Sequence, residues 1–185
     1  PLTTLLSPEE PYLVEDLNRF LDTSKLWRFT RGGGEALSLA IRFARSITKT
    51  DKVLVCGYHG WHDWYLATNI TSKNNLDQAF LKGLDPIGVP KNLAESTFTP
   101  ANLDKDSIEK ILLKEKIKII VIEAARYEYL SDDISILLKK FKKQGGLIVA
   151  DEVTSGLRVE KKLAINKLGI NPDLVVLGKG LGAGW

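Results

Sequence analysis

The residues with the widest chemical reach in this chain stand at the ends of short apolar runs. Asp151 closes LIVAD, and Lys179 closes DLVVLGK. A carboxylate at the end of a buried strand is placed to meet a ligand. It serves equally well to cap the following turn, and Asp151 alone does not choose between the two. Lys179 stands between Gly178 and Gly180, which leave room around it. If desolvated, its amine would be neutral and able to attack a carbonyl. Taken alone, a lysine in a glycine-rich loop reads as a surface side chain. Gly32, Gly33 and Gly34 stand ahead of a helical pattern. Helix N-terminal N–H groups point outward, and glycines let a phosphate approach the backbone. A tight turn explains the same glycines. Tyr58-His59-Gly60-Trp61-His62 holds both histidines of the chain. No further ligand stands nearby at metal spacing, so no metal site is expected. The cluster suits packing against a flat ligand, and a plain core contact suits it as well.

The elements that must position these residues alternate between two periods. Residues 35–47 place Leu37, Ala40, Ile41, Ala44 and Ile47 on one helical face. Helices are also expected over 104–115, with Ile108, Ile111 and Leu112 inside, and over 133–143, with Ile134, Leu137, Leu138 and Phe141 inside. Buried strands are expected at 52–56, 117–122, 147–151 and 173–178. Strands that are nearly all aliphatic need cover on both faces. The pattern therefore predicts an α/β fold with three layers: a mainly parallel sheet with helices on both faces. Ligands of such sheets sit beyond the carboxyl ends of the strands. That singles out the loop after Cys56, Glu123, Asp151 and Lys179. Residues 71–103, with Pro86, Pro90 and Pro100, read as a long irregular excursion near the substrate.

The bulk properties narrow the class. The chain has 185 residues, 44% hydrophobic and 26% charged, which fits one soluble globular domain. The net charge is +3, and the densest basic run (Lys139, Lys140, Lys142, Lys143) lies on a helical pattern. A solvated helix face accounts for it better than a nucleic-acid surface. The single cysteine, Cys56, has no internal disulfide partner, which fits a reducing, cytoplasmic setting. No signal peptide or apolar span of membrane length is present. The chain starts at Pro1 and stops within a glycine-rich run that includes Gly182 and Gly184, so an internal piece of a longer protein is expected.

Three segments together resemble the class III aminotransferases of the pyridoxal-phosphate (PLP) fold-type I superfamily. They are WRFTRGGGEALSLAIRFAR, DKVLVCGYHGWHDWYLATN, and LIVADEVTSGLR followed by GINPDLVVLGKGLGAG. The resemblance runs from Trp27 to Gly184, and its nearest flavour is the glutamate-1-semialdehyde aminomutase-like branch. YHGWHDWY and GVPK (88–91) also resemble members acting on other amino or keto substrates. The resemblance implies a PLP-binding large domain, with a small C-terminal domain and an N-terminal substrate segment lying outside this chain. It implies a Schiff base on Lys179, which would then act as general acid–base. Asp151 would keep the pyridine nitrogen protonated. Val153 would pack on one ring face and Tyr58 on the other, with His59 beside it. Gly33 and Gly34 would offer N–H groups to the phosphate, and Glu123 would stand on the substrate side. His62 and Trp61 would be structural.

Two departures from the family pattern stand out. A Ser or Thr hydroxyl is usual where this chain has Gly32, Gly33 and Gly34. Losing it removes a charge-assisted hydrogen bond, roughly 1.5–3 kcal/mol where one is made. Ala124 follows Glu123 where proline is usual, and Ala125, Arg126 and Tyr127 give no match for the residue that contacts the ring hydroxyl. The expected partners are a small amino or keto substrate and, in the full-length protein, a second subunit completing the active site, with no nucleic acid or membrane. Competing readings are a sugar or small-ketone aminotransferase, a non-catalytic relative, and a nucleotide-binding domain. The last lacks a G-x-G-x-x-G opening a helix after a strand.

Overall fold

The computed structural model describes residues 7–71, 76, 83–126, 128–160 and 162–182. The chain divides into two compact units, Pro1–Thr30 and Arg31–Trp185. In the first, helix α1 (Glu10–Leu21) has a proline in its first turn, where the missing N–H costs nothing. It stops at Asp22, whose backbone is left-handed (φ 53°). The segment that follows folds back: the Trp27 indole N–H donates to Asn18 Oδ1 at 2.8 Å, and the Asn18 amide donates to the Lys25 carbonyl at 3.2 Å.

Among the described residues, the second unit is built on five parallel strands: β1 (Val53–Cys56), β2 (Thr97–Phe98), β3 (Ile119–Ile122), β4 (Leu147–Glu152) and β5 (Leu174–Leu177). Their order is β2-β1-β3-β4-β5. β1, β3 and β4 are buried at every position. The register sets Val55, Val121 and Val149 in one row and Leu54, Ile120 and Ile148 in the next. Alternation sends the two rows to opposite faces. The valine face packs against Leu37, Ala40, Ile41 and Ala44 of α2 (Gly33–Thr48).

Among the described residues, the remaining α-helices of this unit are α3 (Asp63–Leu66), α4 (Thr68–Thr71), α5 (Lys105–Glu115), α6 (Asp132–Lys143) and α7 (Ala164–Lys167). Helix α6 packs against α5 and β4. The Asp104 carboxylate caps α5 by accepting from the Ser107 N–H at 2.7 Å. Asp132 and Asp133 open α6, and Lys140, Lys142 and Lys143 close it, in the sense the helix dipole favours. Lys142 pairs with Asp173, and Lys140 with Glu109 at 3.2 Å, so this basic run is partly tied to carboxylates.

The sheet, all parallel and flanked by helices, is the one the aliphatic runs predict. Three details differ. β2 lies inside the 71–103 excursion; two residues in a polar, proline-bearing stretch carry no readable period. Within that excursion, residues 72–75 and 77–82 lie outside the described residues. Ile47 shares the helical face of Leu37 by period, yet it is 65% exposed at the end of α2. Helix α5 buries only Ile108, with Ile111 and Leu112 half-buried. Among the described residues, no helix is long and apolar enough to cross a membrane.

Burial sorts the isoleucines. Ile120→Ala should lower unfolding free energy by about 2–5 kcal/mol, while Ile47→Ala should change it by less than about 0.5 kcal/mol; urea titrations of both variants check this. Burial also pushes the Cys56 thiol up to about 12, which leaves almost no thiolate at pH 8. Iodoacetamide at pH 8 should therefore label Cys56 in urea and leave it untouched in the folded protein.

Candidate active site

Because all five strands are parallel, their carboxyl ends share one edge of the sheet. A cavity of about 280 Å³ opens there. Of the residues singled out in the sequence, Lys179, Asp151, Val153, Tyr58, His59, Gly33 and Gly34 line it. Glu123 does not.

Strand register puts Asp151 there. It pairs with Val176 and follows Val149 by two, so it projects to the α2 face. Its side chain accepts from the Val153 N–H at 3.0 Å through Oδ1 and meets His59 Nδ1 at 2.8 Å through Oδ2. An ionised carboxylate only accepts, so Nδ1 carries the proton of that bond. Asp151 is 3% exposed and His59 1%. A Tyr65 edge braces the His59 ring (centroids 5.7 Å, 84° between planes), and the Tyr65 hydroxyl donates to the Gly57 carbonyl at 2.9 Å. Burial pushes that hydroxyl well above its ordinary range.

Glu152 shows the other outcome of the pleat. One residue on, it projects to the opposite face and is fully buried. It accepts from the Ile165 N–H at 2.8 Å and from the Ser155 hydroxyl, while its carbonyl accepts from the Gly156 N–H. Burial raises its pKa. It secures the loop after β4, the loop that carries Val153 and Thr154.

The glycines of the site are there for packing as much as for any ligand. Gly33 and Gly34 form the first turn of α2, behind the N-cap Gly32. A Cβ on Gly33 would lie 2.9 Å from Val153 Cγ2, and one on Gly34 would lie 2.4 Å from His62 Cε1. The imidazole of His62 thus fills the space that a side chain at position 34 would need, and Trp61 stacks on it at 4.8 Å. Gly178 and Gly180, which flank the exposed Lys179, are themselves closely approached by other segments. Side chains there would press on Val153 and Arg158 at 3.1 and 3.2 Å.

Lys179 is exposed and opens a 3-10 turn, Lys179–Gly182, with φ 39°. Its ammonium donates to Thr154 Oγ1 at 3.2 Å. Thr154 lines the cavity and was not singled out in the sequence; the readable signal was a hydroxyl three residues past Asp151 in the same strand-end segment. Gly60 and Leu37 line it too. Tyr127 and Gly184 lie outside the described residues.

The contact between position 34 and His62 is testable by itself. Ala is the better helix former by up to about 1 kcal/mol, but here it overpacks, at roughly 1–3 kcal/mol. Gly34→Ala should therefore destabilise the wild-type protein and stabilise a His62→Ala protein. Chemical denaturation of the four proteins in that cycle gives the sign.

No family model matches the chain. Curated relatives do, over nearly all of it. It is 32% identical over 191 residues to a glutamate-1-semialdehyde 2,1-aminomutase of Wigglesworthia glossinidia brevipalpis, covering 97% of this chain and 43% of that protein. It is 33% identical over 193 residues to the enzyme of the same name from Anaeromyxobacter sp. (strain Fw109-5), covering 96% and 42%. The chain thus spans less than half the length of the curated relatives it matches. Among solved structures, a transaminase with PLP bound superposes with a TM-score of 0.79 at 25% identity, over 96% of this chain and 42% of that one. A glutamate-1-semialdehyde aminomutase from Pseudomonas aeruginosa PAO1 gives 0.71 at 20%, over 95% and 39%. The chain is therefore a sequence relative of the glutamate-1-semialdehyde 2,1-aminomutases and has the fold of the class III aminotransferases.

Proposed function

We propose that this chain binds pyridoxal 5'-phosphate in the cavity at the carboxyl edge of the sheet, and that the whole protein moves an amino group on a small amino or keto substrate, as an aminomutase or aminotransferase working as a homodimer. One observation carries the reading: a buried carboxylate, a lysine, an aromatic ring and a glycine-led helix start converge on one cavity from four separate segments. That donor set fits the cofactor. It offers an anion for a pyridinium, an amine for an aldehyde, flat and branched apolar surfaces for a ring, and N–H groups for a phosphate. The names of the similar proteins point the same way.

When bound, PLP supplies an electron-poor ring that accepts the electron pair left as a bond to the amine-bearing carbon breaks. Asp151 would hold a proton at the ring nitrogen, and His59 Nδ1 holds its carboxylate in place for that task. Lys179 would hold the cofactor through Nζ, and the same nitrogen would move a proton at the substrate carbon. Thr154 Oγ1 holds the Lys179 amine beside the strand end. Tyr58 and Val153 would pack against the ring, and the N–H groups of Gly33 and Gly34 would take the phosphate.

Addition of PLP to the protein, a spectrum, borohydride reduction and peptide mapping test this. The expected result is a visible absorption band and a covalent label on Lys179, both lost in Lys179→Ala. Asp151→Asn should weaken binding about tenfold or more, the worth of one charge-assisted contact. Labelling spread over other lysines and unchanged in Lys179→Ala would sink the assignment.

A further inference from the structure

Glu123 and Arg126 lie off the cavity wall, yet both meet a residue that forms it. Glu123 Oε2 accepts the backbone N–H of Tyr58 at 3.0 Å. The same oxygen accepts from Arg126 Nε at 3.0 Å, and Oε1 accepts from Arg126 Nη2 at 2.9 Å. This is a two-pronged pair, the strong geometry for a guanidinium and a carboxylate. The Arg126 guanidinium carbon also stands 5.5 Å from the centroid of the Tyr58 ring, and Tyr65 meets that ring edge-on at 6.0 Å. One ion pair therefore holds Tyr58 twice, by its backbone through the carboxylate and by its ring through the cation.

The surroundings are built to admit this pair. The Glu123 side chain is 5% exposed and that of Arg126 20%. Charges so buried are tolerated only when well paired. Gly57 has φ 133°, and a Cβ there would lie 2.6 Å from Glu123 Oε2, so only glycine lets the carboxylate reach the Tyr58 N–H. The Glu123 N–H in turn donates to the Cys56 carbonyl at 3.2 Å. These contacts bridge the ends of β1 and β3. Between those strands the chain order reverses, the place where open α/β sheets form ligand crevices.

We propose that Glu123 and Arg126 are positioning residues, a clamp that fixes the Tyr58 ring at the cavity wall and so sets which face it offers to a flat ligand. The identity of that ligand rests on the cofactor reading above; the clamp itself does not. The Glu-x-x-Arg spacing 123–126 then has a purpose that neither residue reveals alone. Arg126 needs its fork as well as its charge, because Lys cannot bond both carboxylate oxygens and cover a ring at once.

Two measurements test it. Amide hydrogen exchange on the cofactor-free protein, wild type against Glu123→Gln, Arg126→Met and Arg126→Lys, reads the Tyr58 N–H directly. Exchange there should rise about tenfold in Arg126→Met and less in Arg126→Lys, while the β3 amides stay protected. Unchanged exchange at Tyr58 in all three variants would overturn the clamp. If β3 protection also collapses in a variant, its fold is lost, and Arg126→Lys, the mildest change, decides. The second measurement is the PLP dissociation constant in a cycle of Arg126→Met with Tyr58→Ala. A loss of about tenfold should appear with Tyr58 present and vanish with Tyr58→Ala. An equal loss in both backgrounds would reduce Glu123–Arg126 to a structural ion pair and overturn the proposal. Failure of the wild-type protein to take up PLP would sink the cofactor reading, and the exchange result would still decide the clamp.

Discussion

The central strands β1, β3 and β4 are covered on both faces, and every side chain along them is buried. A polar group inside such a sheet would lose its water with nothing to replace it. Polar chemistry is therefore confined to the strand ends, and parallel strands put all the carboxyl ends together. The site follows from that constraint. The Cys56, Ile122 and Glu152 strand ends lead directly into Tyr58, Glu123 and the Val153–Thr154 loop, and β5 leads into Lys179. Helix α2 covers the valine face and brings its first turn to the same edge, where Gly33 lies against Val153.

Adjacent carboxylates show how finely the constraint acts. Asp151 and Glu152 are neighbours in sequence, and both are buried. The pleat sends Asp151 toward α2, the cavity and His59, and sends Glu152 to the other face, where backbone N–H and Ser155 satisfy it. One acid is thereby available to a ligand, and the other is spent on holding the loop. A one-residue slip in β4 would exchange the two roles, so the rows of Val149 and Ile148 that lock the register also lock the chemistry.

What was legible in the sequence follows the same physics. Aliphatic runs at 52–56, 117–122 and 147–151 announce buried strands because burial on both faces leaves only one kind of residue. Asp151 and Lys179 stand out because they end such runs. β2 was not legible: two residues held by pairing with Val53 and Leu54 need no pattern of their own. The partnership of His59 with Asp151 was not legible either, since it joins residues 92 apart and depends on the ends of β1 and β4 meeting at one edge. Arg126 looked like a departure from a family pattern, because its meaning lies in a contact with Tyr58 that only the fold creates.

The glycines at 33, 34, 57, 178 and 180 make the last point. A glycine-rich loop read from sequence suggests freedom of the backbone or room for a ligand. At these five positions the space is already claimed: by Val153, His62, the Glu123 carboxylate, Val153 again, and Arg158. Only Gly57 among them has a backbone that other residues avoid. The glycines mark where side chains from distant segments must come in close, and those segments carry the site. At position 34 the incoming group is an imidazole, and a residue with a Cβ there could not share the space of the observed His62 ring.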